Sequence, residues 1–191
     1  CCVSFRLETV AGISAISDEA FNGKSEFSSG SFKFNEAFQT FNEVLKVNPK
    51  DNISLNNKGV ILTNNNKYDD ALECFDRVLD VNPNNVSAKN GKGQIYYRQK
   101  KPKEALKLFD NILELNPLSE AALIGKGVTL HSLEKYDEAE ICYNLVINMT
   151  TKQENKDILN LMYLNKGRIY LERNQFDLSL KYLALIKDTI E

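Results

Sequence analysis

Asn-Pro recurs at Asn48-Pro49, Asn82-Pro83 and Asn116-Pro117, each Pro 34 residues after the one before. A fixed period of about 20 to 50 residues marks stacked structural repeats rather than a chain wrapped once around a single core. With each Pro as position 32 of a unit, units open at Asp18, Asn52, Val86 and Glu120. Position 8 then holds Ser25, Gly59, Gly93 and Gly127, and position 20 holds Ala37, Ala71, Ala105 and Ala139. Position 24 holds Phe41, Phe75, Phe109 and Tyr143. A fifth unit opens at Asn160, with Gly167, Ser179 and Leu183 in the matching places, six residues late because 150–157 carries an insertion.

Each unit holds two helical patterns. Leu55, Gly59 and Leu62 lie at i, i+4 and i+7, as do Ala71, Phe75 and Val78. Gly inside a helix costs about 1 kcal/mol relative to Ala, so its recurrence reads as a demand for close helix approach, with the aromatic filling the space alongside. The residue before Pro is biased away from helix, so second helices end ahead of each Asn-Pro. Asp51, Asn85 and Ser119 stand two residues after each Pro as N-cap types, with Ser17 in the same place ahead of the first unit. Acidic residues fill the first turns of the second helices (Asp69-Asp70, Glu104, Asp137-Glu138), and Pro102 suits a first turn. The expected fold is all-α, an α-α solenoid of about five stacked helix-turn-helix repeats over 18–191. Their bounds are 18–51, 52–85, 86–119, 120–159 and 160–191. Residues 1–17 match nothing and are left as an unassigned segment or divergent cap, and Gly23 and Ser28-Ser29-Gly30-Ser31 weaken the first helix of the first unit.

Composition narrows the function classes. Net charge is −2 over 191 residues, without the basic excess that a nucleic-acid-binding surface needs. No apolar run approaches the ~18 residues of a membrane span. Cys74 and Cys142 lie two repeats apart in one register and Cys1-Cys2 are adjacent, which is neither metal-ligand nor disulfide spacing. Reduced thiols and a cytoplasmic setting are the expectation. The chain opens on Cys1 rather than Met, so a fragment edge and a lipid anchor through Cys1 stand as alternatives. No catalytic constellation, cofactor motif or metal site is visible, and the chain is not expected to be an enzyme.

Asn56-Asn57-Lys58-Gly59, followed by Lys67-Tyr68-Asp69-Asp70-Ala71-Leu72-Glu73-Cys74-Phe75 and Asn82-Pro83, resembles the tetratricopeptide repeat in its microbial form. The resemblance covers 18–191. It departs in the Trp column (Phe21, Leu55, Lys89, Leu123, Tyr163) and in the following Leu column (Lys24, Lys58, Lys92, Lys126, Lys166). It implies a non-catalytic scaffold whose first helices line a concave groove for a peptide or protein segment. The alternative is a recruiting or regulatory segment of a larger enzyme or assembly.

Positions 2, 5, 9 and 12 of a unit share the helix face turned ~100° from the packing face. Within that stripe the expected groove residues are Asn56, Val60, Thr63, Asn90, Gln94, Tyr97, Ile124, Val128, His131, Leu164, Arg168 and Leu171. Its early part is rich in amides suited to a ligand main chain; its later part is apolar with one cation. Position 5 reads Asn56, Asn90, Ile124 and Leu164, so the carboxylate clamp of one subfamily is not expected. The recurring Lys reads as a stem laid across a helix contact, with an anion-binding row as the alternative. Position 19 changes from Glu36, Asp70 and Glu104 to Leu178, and Leu185 follows two turns later. Further chain, a partner or a second copy is therefore expected to cover Leu178, Leu185 and Ile190.

Overall fold

A computed structural model describes residues 29–150 and 155–187. Among these lie nine helices and no strand: α1 (Ser29–Val47), α2 (Asn52–Asn64), α3 (Tyr68–Val81), α4 (Val86–Arg98), α5 (Pro102–Leu115), α6 (Glu120–Ser132), α7 (Tyr136–Thr150), α8 (Lys156–Glu172) and α9 (Phe176–Lys187). The all-helical repeat fold read from the sequence is the fold observed. Expectations for residues 1–17, Ser17, Cys1, Cys2, Ser25 and Ile190 lie outside the described residues.

Local chemistry sets the punctuation. At each Asn-Pro the Asn side chain accepts a backbone N–H two residues on, from Lys50 to Asn48 (3.3 Å), Asn84 to Asn82 (3.1 Å) and Leu118 to Asn116 (3.2 Å). Asp51, Asn85 and Asn155 then cap α2, α4 and α8 by accepting from Ser54, Ala88 and Ile158. Ser119 holds the cap position of α6 but makes no side-chain cap bond. The turn inside each helix pair has its own device. Asn66, Lys100, Glu134 and Asn174 all sit at φ near +60°. The next residue's N–H closes back onto Leu62, Tyr96, Leu130 and Tyr170 respectively, the bond that seals a helix end with a left-handed residue. Lys100 and Glu134 hold this conformation without the relief that Gly gives.

One expected boundary shifts. Lys156 and Asp157, expected in the inserted linker, form the first turn of α8, because the Asn155 cap starts that helix four residues before Asn160. Gly30 and Ser31 fall in the first turn of α1, the second helix of the first unit, and the first helix expected in that unit lies outside the described residues.

The chain divides into two compact units, one up to Gly91 and one from Lys92, the division falling inside α4. In the first, α1 packs on α2 and α2 on α3. Ala37, Phe41 and Ile61 form a buried cluster, and Phe75 is 1% exposed. Phe75 is gripped from both sides. A Cβ on Gly59 would stand 2.6 Å from its ring, and one on Gly91 would overlap the ring as well. In the second unit α5 packs on α6, α6 on α7, α7 on α8 and α8 on α9. Phe109 is held the same way: a Cβ on Gly93 or Gly125 would stand 2.7 or 2.5 Å from its ring. Tyr143 has Gly127 on one side, where a Cβ would come to 2.6 Å, but the register equivalent of Gly91 and Gly125 is Asn165.

Candidate functional site

In the first unit the expected groove stripe keeps Asn56, Val60 and Asn90 half-buried on α2 and α4. Asn56 and Asn90 stand one full period apart. The side-chain carbonyl oxygen of each is shielded from solvent and has no hydrogen-bond partner among the described residues. A buried acceptor left so costs about 1–3 kcal/mol. Thr63 is corrected: it is buried at 3% exposure, and its hydroxyl donates to the Gly59 carbonyl at 2.8 Å, one turn back on α2. Position 12 there turns inward because a small hydroxyl-bearing residue can satisfy itself on its own helix.

In the second unit Gln94 and Tyr97 are half-buried, Tyr97 against the Phe109 cluster. Ile124 is also corrected, being a core residue at 7% exposure beside Leu123 and Tyr143. Val128 is half-buried against that core, while Leu164, Arg168 and Leu171 are exposed on α8. His131 has a partner 41 residues away: its Nε2 lies 2.9 Å from Glu172 Oε2, with Tyr136 edge-on to the imidazole at 5.7 Å. Partial burial pushes the Glu172 carboxyl up, but hydrogen bonds from His131 and Tyr136 and the charge of Arg168 outweigh it and hold it below the usual carboxylate range.

The lysine column resolves into a ladder across helix contacts. Lys58 donates to Asn42 Oδ1 at 2.7 Å and Lys126 pairs with Asp110 at 2.6 Å, each reaching 16 residues back. Lys166 reaches 22 residues back to Asn144 at 2.6 Å, the insertion accounting for the extra six. Lys166 is 3% exposed, and its ammonium also meets Glu140 (2.9 Å) and the Tyr182 hydroxyl (3.0 Å). Tyr170 donates to the same Glu140 carboxylate and stacks on Tyr182 at 5.3 Å. Burial raises the Glu140 carboxyl, yet Tyr170 and Lys166 together draw it below its ordinary value. Arg173 ties α8 to Asp137 of α7 at 2.6 Å.

On α9, Phe176, Leu178, Leu180 and Leu185 are exposed. Cys74 and Cys142 are buried free thiols whose pKa burial raises. Among the described residues no cluster of His, Cys, Asp and Glu could hold a metal ion, and no helix is long and apolar enough to cross a membrane.

Comparison with known proteins finds the same fold elsewhere. Residues 64–146 match the family described as anaphase-promoting complex, cyclosome, subunit 3. Among curated sequences nothing matches. Among solved structures, TTC0263, a thermophilic tetratricopeptide-repeat protein of Thermus thermophilus, is similar at a TM-score of 0.69 with 18% identity, over 82% of each chain. PilW, a widely conserved type IV pilus biogenesis factor, is similar at 0.72 with 18% identity, over 84% of this chain and 71% of that one. MamA is similar at 0.65 with 18% identity, over 83% and 89%. With the 34-residue columns, the paired helices and these likenesses together, the fold is that of a tetratricopeptide-repeat solenoid.

Proposed function

We propose that the chain is a non-catalytic scaffold that binds a peptide or protein segment along the exposed stripe of its first helices. The observation that carries this is the pair of unpartnered carbonyl oxygens on Asn56 and Asn90. Both residues are half-buried on the stripe, and a ligand N–H that reaches these oxygens would complete them. A ligand main chain offers such donors at regular spacing whatever its sequence. Within the second unit, considered by itself, exposed Leu164, Arg168 and Leu171 on α8 offer apolar and charged contacts able to read side chains. Because the helices are already packed, little ordering is left to oppose binding. The test replaces Asn90 with a photo-crosslinking residue in the source cell and identifies what is captured, with Asn90→Ala and Arg168→Ala as controls in quantitative binding. Asn90→Ala should weaken binding about tenfold while melting no lower than the parent, since it removes an unsatisfied acceptor. A melting temperature lower by several degrees would make Asn90 a packing residue instead.

A second reading, in which the chain serves as one segment of a larger assembly, is favoured by two observations. The family matched at 64–146 is named for a subunit of a complex. The apolar Leu178 and Leu185 of α9 (39% and 37% exposed) fall where the first three units carry charged or polar residues.

A further inference from the structure

The lysine ladder has one rung unlike the others. Lys126 meets Asp110 and Lys166 meets Glu140, so each ammonium has a carboxylate. Lys58 meets the neutral amide of Asn42, and among the described residues it makes no ion pair. It is held in place from the other side by the Phe38 ring, whose centroid lies 5.3 Å from its Nζ. This rung opens onto a cavity of about 510 Å³ between α1, α2 and α3, within the first unit. Lys46 and Arg77 line the same cavity, so three cations face the single carboxylate of Glu43. Arg77 is fixed by donating to the Pro49 carbonyl at 2.6 Å.

From this we infer that the cavity is a docking site for an acidic polypeptide segment, distinct from the first-helix stripe and independent of it. A carboxylate entering beside Lys58 would take the place that Asp110 fills at the Lys126 rung. The cavity is open to solvent, so a stretch of extended chain can lie across it. Glu43 in its lining opposes a compact polyanion and admits side-chain carboxylates spaced along a chain, and Leu45 gives that chain an apolar rest. The arrangement suits Glu- or Asp-rich sequence rather than phosphate. Partly buried charge-assisted contacts of this kind are stronger than their exposed counterparts.

The test is an NMR titration of the full 191-residue chain with acetyl-tetraglutamate-amide, and separately with inorganic phosphate at matched charge. Saturable shifts at Lys46, Lys58 and Arg77 are expected with the peptide, weakened about fivefold by Lys58→Gln and by Arg77→Gln. Asn42→Asp is the decisive variant, because it installs the internal carboxylate that Lys126 already has. It should abolish peptide binding with an unchanged or higher melting temperature. Undiminished binding by Asn42→Asp would overturn the inference. So would equal affinity for phosphate, shifts spread evenly over Lys103 and Lys107, or no shift at all.

Discussion

Phe75 in the first unit and Tyr143 in the second occupy the same register position, and their surroundings differ in kind. Phe75 has a glycine on each side and no polar atom to place; the contact is shape alone. Tyr143 has Gly127 on one side, while Asn165 stands where the second glycine belongs, and both its hydroxyl and the Asn165 amide nitrogen are buried without partners among the described residues. Beside Tyr143 runs the Lys166, Glu140, Asn144, Tyr170 and Tyr182 network, whose counterpart in the first unit is the Lys58–Asn42 bond. The repeat therefore fixes where helices meet but not the chemistry of the contact. A junction of ring and glycine holds no group that titrates, whereas one built on a buried ion pair answers to pH.

The largest effect should come from closing the glycine slot. Gly91→Leu forces side-chain atoms into the Phe75 ring and should cost more than about 3 kcal/mol, or prevent folding, by urea denaturation. Asn165→Gly, at the equivalent place, should fold, so equal damage from both would erase the distinction. Next comes Lys166→Met, which leaves Glu140 partly buried without its cation and should cost roughly 3 kcal/mol. Lys58→Met should cost under about 1 kcal/mol, because its partner is a neutral amide. The acid limb follows. The Glu140 carboxyl is held below its ordinary value in the folded chain, so its contribution is complete above the usual carboxylate range and falls away as pH drops through the folded value. Urea midpoints taken from pH 7 down to pH 3 should fall less steeply in Glu140→Gln than in the parent. The smallest change is Tyr143→Phe, which removes an unsatisfied buried hydroxyl and should leave stability unchanged or raise it by up to about 1 kcal/mol.

Most of the fold is legible in the sequence because its signals are local or periodic. Asn-Pro spacing, the Ala and aromatic columns and the caps at Asp51 and Asn85 all operate within a few residues of one another or at a constant interval. Gly91 and Gly125 do not stand out from a helical pattern laid against one packing face, whereas the first helix meets an aromatic on each of two faces. The same single-face geometry places Thr63 and Ile124 on the binding stripe. Glu172 cannot be tied to His131 from spacing alone, as the pair joins the ends of helices 41 residues apart. The lysine ladder is legible in principle. The 16-residue offset to Asn42 and Asp110 emerges once each lysine is matched to the acceptor one helix behind it.

That offset carries a consequence for how such chains change length. Between Asn144 and Lys166 the separation grows to 22 residues while the contact itself stays at 2.6 Å. Most of the extra sequence lengthens α8, which starts four residues ahead of the place the earlier first helices hold, and the rung that joins the two helices is kept. The start of α8 is thus a free end, where a repeat can gain a turn of helix while its grip on the neighbour stays the same.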